Sequence, residues 1–207
     1  MRIWLDTDIG SDVDDALALA YSLRHPGLEV VGVMFGHEGR GLLDDPRPRH
    51  RIGREAGGDR RIQALAGAIG AARADRVQAV LGTEQTEPPI VVPANVTFRT
   101  RLDDADLVCL ADAGDKLSAD LAVLCEHWLE LQRVEFGRAQ PRVALHDPLT
   151  VAVLVGPALC VLDGRSNSVD DRGATTVGGD GTPVIAAVDV DPGAVRDHVM
   201  STLLLGR

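Results

Sequence analysis

Ile3–His25 reads IWLDTDIGSDVDDALALAYSLRH, and the rest of the chain is organised around it. Five carboxylates (Asp6, Asp8, Asp12, Asp14, Asp15) fall within ten residues, and no Lys or Arg stands between Arg2 and Arg24. The apolar run Ile3-Trp4-Leu5 predicts a strand before the acids, and Ala16, Leu19, Ala20 and Leu23 predict a helical face after them. The acids therefore belong where a strand turns into a helix, which in an open α/β sheet is the ligand-binding edge. Carboxylates this close repel one another unless a positive charge joins them. Two readings stand at this point. A hard, oxygen-seeking cation could gather the acids, or Asp14 and Asp15 could begin a helix, one as its N-cap and both favourable to its dipole, with Asp12 solvated and Asp6 in a turn.

Working outward, Leu28–Met34 (LEVVGVM) is a nearly continuous apolar run that fits a buried strand parallel to the first. Strand, helix and strand make a right-handed βαβ unit. The fold class expected is α/β, a Rossmann-like and mostly parallel sheet flanked by helices. Later in the chain, Ala144–Leu154 (ALHDPLTVAVL) carries His-Asp-Pro ahead of an apolar helical pattern. Asp147 suits an N-cap and Pro148 the first turn, which also places His146 at a helix end.

DTDIGSDVDDALAL resembles the N-terminal signature of the inosine/uridine-preferring nucleoside hydrolases, DxDxGxDD, with two additional residues, Asp12 and Val13. The His-Asp-Pro at His146–Pro148 resembles a second motif of that family, in the expected order. The resemblance implies a Ca2+-dependent nucleoside N-ribohydrolase that cleaves the N-glycosidic bond of purine or pyrimidine ribonucleosides to base and ribose. It implies Asp8, Asp14, Asp15 and Asp147 as metal ligands, Asp8 also as the base for the attacking water, and Asp6 as a supporting residue. His146 would assist departure of the base. Asp12 and, from the loop sequence GHEGRG, His37 are carried as substrate-binding residues.

The resemblance covers about residues 1–46 and 89–207, read as one domain over 1–207 with 47–88 divergent. No counterpart is found of the family's Thr-Gly-Pro, Met-Gly-Gly or Glu-Phe-Asn segments, so the chain reads as a member shortened in its middle region. The alternative reading is a catalytically weak or inactive relative that keeps metal or partner binding.

Composition bounds these readings. A net charge of −10 argues against nucleic acid or an anionic membrane as partner. Cys109, Cys125 and Cys160 are widely spaced and suggest neither a disulfide framework nor zinc. No leader is visible and no apolar run reaches membrane-spanning length, so a cytoplasmic location is expected. The resemblance leaves open assembly as a homo-oligomer.

Three further expectations concern the scaffold. Ser118–Phe136 predicts a long helix capped by Ser118, with Leu121, Leu124, Trp128 and Leu131 buried. Ser168–Val177 and Thr182–Val190 predict strands joined as a hairpin around Gly178–Gly181. Pro192–Leu205 predicts a closing helix buried through Val195, Val199 and Leu203.

Overall fold

The structure is a computed structural model, and it describes residues 1–7, 9, 12–35, 88–169, 175–178 and 180–205. Strand β1 (Arg2–Thr7) pairs in parallel with β2 (Glu29–Phe35), and helix α1 (Asp14–Arg24) connects them. The predicted βαβ unit is therefore present. The ladder slips between Ile3 and Trp4, which sets Trp4 opposite Gly32. The indole lies over Gly32 so closely that a Cβ there would meet the Trp4 ring at 2.0 Å.

β3 (Ile90–Val91) leads into the single-turn helix α2 (Ala94–Thr97) and then β4 (Arg101–Leu102). Helix α3 (Asp104–Ala111) follows, capped by Asp103 in a reciprocal box with Asp106. Next come α4 (Lys116–Val134), β5 (Val143–Ala144) and α5 (His146–Val155). β6 (Cys160–Val169), β7 (Thr175–Val177), β8 (Thr182–Val190) and α6 (Pro192–Leu203) complete the described elements. Among the described residues, β1–β2 and β3–β8 pair in parallel, whereas β4–β5, β6–β7 and β6–β8 are antiparallel.

The C-terminal strands correct the hairpin expectation. The sheet order is β3-β8-β6-β7, so β7 and β8 do not pair with each other and β6 runs between them. Gly181 allows this, because a Cβ there would stand 2.4 Å from the Asn167 carbonyl oxygen on the neighbouring strand.

Helices α1, α5 and α6 pack together over the core, where Leu17, Tyr21, Leu149, Val195, Val199 and Leu203 are fully enclosed. The α6 stripe is the predicted one. The α1 face is not: Leu17, Ala18 and Tyr21 are buried, while Leu23 is 62% exposed. Tyr21 decides that rotation, since its hydroxyl is hydrogen-bonded to His198 Nε2 at 2.6 Å and its ring fills the α1–α6 junction.

The α4 face also turns by about one position. Leu121, Ala122, Cys125, Leu129 and Gln132 are buried, and Leu124 is exposed. Gln132 holds the register by donating from Nε2 to Arg142 O at 2.7 Å and accepting from Arg142 N at 3.2 Å. The α4 cap is Asp115, not Ser118; Asp115 accepts from Ser118 N at 3.0 Å. At the far end of α1, Arg24 is clasped by Asp115, Ser118 Oγ and the Leu203 carbonyl, which ties α1, α4 and α6 together.

Candidate active site

Three element ends meet at the site: the C-terminal end of β1 and the N-terminal ends of α1 and α5. α1 begins after Val13, which offers no side-chain cap, so Asp14 and Asp15 sit in the first turn. α5 begins after Leu145, again with no side-chain cap, so Asp147 is inside the helix and not its N-cap. The capping reading thus fails for these three aspartates. Their position remains favourable for anions, because unpaired amides and the dipole make a helix N-terminus electropositive.

The carboxylates of Asp12, Asp14 and Asp15 offer oxygens that all lie within 4.8 Å of one another. Asp14 and Asp15 are buried and Asp12 half-buried. The Thr7 hydroxyl, at the end of β1, donates to Asp15. Asp14 Oδ2 accepts the backbone N–H of Asp147 at 3.4 Å, a contact across 133 residues of chain. Asp147 is therefore brought to the cluster, although its carboxylate is not one of the three mutually close groups. Asp8 and His37 lie outside the described residues, as does the side chain of Asp6.

Electrostatics set the state of this cluster. Two unit charges about 4.8 Å apart at an effective dielectric near 20 repel by about 3–4 kcal/mol. Asp14 shows the result: its carboxyl is pushed up from 3.8 to about 6. Burial is the largest cause; the charges of Asp147 and Asp15 add to it, and hydrogen bonds from the Asp12 side chain and the Asp147 backbone oppose it. A cluster of buried hard-oxygen donors that must hold a proton or a cation fits a hard divalent ion. These aspartates could hold a metal.

His146 stands beside them, half-buried at the start of α5. Its Nδ1 is 2.6 Å from Thr97 Oγ1, and Phe98 meets its ring edge-on, with centroids 4.6 Å apart and planes at 88°. Burial pushes the imidazole below its usual 6.5, and the negative charge of Asp12 works the other way. The ring is thus under two opposing influences, and Asp12 links it to the acidic cluster. Thr97 is not among the site residues expected from the sequence. No sequence signal marks it, because the contact is set by the β4–β5 pairing, which brings the α2 turn against the start of α5.

Comparison with solved structures adds the fold. The chain superposes on a plant nucleoside hydrolase with a TM-score of 0.74 and 16% identity, over 98% of each chain. This is the nucleoside hydrolase fold. A purine-preferring ribonucleoside hydrolase from Gardnerella vaginalis matches at 0.67 and 17% identity, over 100% of this chain and 98% of that one. An inosine-uridine preferring nucleoside hydrolase from Bacillus anthracis matches at 0.61 and 13% identity, over 99% of each. In the nucleoside hydrolase fold of this chain, as in the α/β class expected from sequence, helices flank the sheets.

No family model matches the sequence. A curated relative, an uncharacterized protein in the ribF 3' region of Corynebacterium ammoniagenes, is 52% identical over 33 residues, 16% of this chain. The match spans only 34% of that relative's length. Among the described residues, no helix is long and apolar enough to cross a membrane.

Proposed function

We propose that this chain is a metal-dependent nucleoside N-ribohydrolase, with Ca2+ as the metal and a purine or pyrimidine ribonucleoside as substrate. The observation that carries the reading is the meeting of α1 and α5. Asp12, Asp14 and Asp15 cluster there within 4.8 Å, Asp14 is bonded to the Asp147 backbone, and His146 begins the second helix. The nucleoside hydrolase fold supports it, and so do the two sequence motifs in their expected order.

In this reading Asp14, Asp15 and Asp147, with Asp8, hold the cation, and Asp12 joins them as a nearby donor. When bound, Ca2+ supplies Lewis acidity toward water and the sugar hydroxyls. Asp8 takes the proton of the attacking water. Departure of the base from an oxocarbenium-like sugar needs a group that can share a proton with it. His146 is that group, because imidazole can donate near neutral pH. The same proposal takes residues 1–207 as a single domain and the cytoplasm as its location.

The second reading, a metal-binding relative with weak turnover, rests on the absent counterparts of the family's Glu-Phe-Asn segment. Ribose release from a panel of purine and pyrimidine nucleosides, with and without a Ca2+ chelator, separates the two. Chelator-sensitive release that Asp8→Ala abolishes is the result expected of the hydrolase. Folded protein that binds Ca2+ yet releases no ribose overturns it in favour of the second reading.

A further inference from the structure

The Thr97–His146 contact has a proton inventory that can be worked out. The Thr97 hydroxyl carries one hydrogen and has two neighbours for it: the Ala94 carbonyl oxygen at 3.3 Å, and His146 Nδ1 at 2.6 Å, which accepts or donates according to the ring's tautomer. A normal O–H···O bond is ~2.7–2.8 Å, so the carbonyl contact is too long to hold that hydrogen well. The 2.6 Å contact is where it is best used. Thr97 is fully buried, so water does not compete for it. A neutral imidazole that accepts at Nδ1 must carry its own hydrogen on Nε2.

The frame around this contact is built to keep it. Leu145 N donates to Thr100 O at 3.1 Å, continuing the Arg101↔Ala144 and Leu102↔Val143 pairing of β4 with β5. Thr100 Oγ1 in turn donates to Thr97 O at 2.8 Å. The ladder therefore registers the α2 turn against the first residue of α5, and Phe98 fixes the plane of the ring from its edge.

We propose that Thr97 is a positioning residue for His146: its hydroxyl donates to Nδ1, fixes the ring orientation and keeps the Nε2–H tautomer, so that Nε2 is a donor. Nothing in this assignment needs turnover. Under the hydrolase reading, on which the next statement rests, that Nε2–H is the donor presented to the leaving base. Loss of Thr97 then leaves substrate binding intact and lowers kcat, because the donor is no longer held in one orientation.

The test is 15N NMR of the imidazole nitrogens of His146, assigned with a His146→Gln control, at a pH where the ring is neutral. Wild-type protein should show a pyridine-like Nδ1 and a pyrrole-like Nε2. Thr97→Ser should keep that pattern, and Thr97→Val should shift both signals toward a tautomer mixture. In ribose release, Thr97→Val should lose about tenfold in kcat with KM changed less than about twofold, and Thr97→Ser should restore it. A pyrrole-like Nδ1 in wild-type protein overturns the proposal whether or not any variant folds. Identical spectra for wild type and folded Thr97→Val overturn it too. Absent turnover with the expected spectra refutes only the hydrolase reading and leaves the tautomer assignment standing.

Discussion

Asp14→Asn separates the cost of the acidic cluster from its use. The Asp14 side chain is 6% exposed in residue terms, and its carboxyl is pushed from 3.8 to about 6 chiefly by burial, then by the charges of Asp147 and Asp15. A folded carboxyl that titrates above its unfolded value holds its proton more tightly in the native state. As pH rises from 3.8 toward 6, the unfolded chain loses that proton first, so stability falls across this window. Above it both states are ionised and the full cost remains. A shift of about two pH units, at 1.36 kcal/mol each, makes that cost about 3 kcal/mol. Asparagine removes the charge and keeps an oxygen for the Asp147 N–H. In chelator at about pH 7.5, Asp14→Asn should therefore melt about 6–12 °C above wild type for a chain of this size. The gap should shrink as pH is lowered toward about 4, where wild-type Asp14 is protonated in the native state. Added Ca2+ should raise the wild-type midpoint and leave that of the variant nearly unchanged. Differential scanning fluorimetry across pH, with and without Ca2+, reads all three. A variant less stable than wild type in chelator near neutrality, or a gap independent of pH, refutes the reasoning.

Three other outcomes follow from the scaffold. Arg24→Ala should cost about 2–4 kcal/mol in urea unfolding, because it removes the bonds to Asp115, Ser118 Oγ and the Leu203 carbonyl and so frees α1 from both α4 and α6; a loss below about 0.5 kcal/mol would contradict this. Gly181→Ala should destabilise by about 2 kcal/mol or more, whereas Gly32→Ala should cost less. The first forces a Cβ against the Asn167 backbone, while the second meets the Trp4 indole, which at 42% exposed can swing aside; equal midpoints in parallel melts would contradict this. Burial lowers the imidazoles of His25 and His198 below 6.5, so the unfolded chain binds protons more readily there. Their contribution to stability is complete above 6.5 and is lost as pH falls, and His198→Gln should flatten the acid limb of the stability profile relative to wild type.

The opening βαβ unit was readable because Ile3–His25 and Leu28–Met34 combine period, charge and punctuation that agree. The α6 stripe was readable for the same reason, since its buried positions are apolar and its flanks are polar. α4 was not. Its inward face includes Gln132, a polar residue that pattern reading assigns to solvent but that the 138–142 turn requires as a hydrogen-bonding bracket. α1 misled through Leu23, an apolar residue left in solvent, and through Tyr21, whose polar tip needs His198 inside. The α4 cap misled because Asp115 does the work that Ser118 could also have done.

At the site, clustered acids and His-Asp-Pro announced themselves by composition. Their actual posture did not, because Asp14 and Asp147 could each cap their own helix. Only the docking of α1 on α5 shows that the Asp14 side chain receives the other helix's amide. Thr97 escaped notice because a buried hydroxyl next to a ring nitrogen is a tertiary fact with no periodicity behind it.

That Asp14–Asp147 contact also bears on the order of events during folding. The first carboxylates are made within the opening residues of the chain, yet their partner amide is 133 positions away. Closing a loop of that span is slow and entropically opposed until the intervening elements have condensed. A nascent or half-folded chain therefore carries the acids without the second helix end that completes their surroundings. Ca2+ affinity should appear late in refolding, after most helical signal has returned. If the proposed cation site is filled, the ion would draw that last docking step forward by mass action.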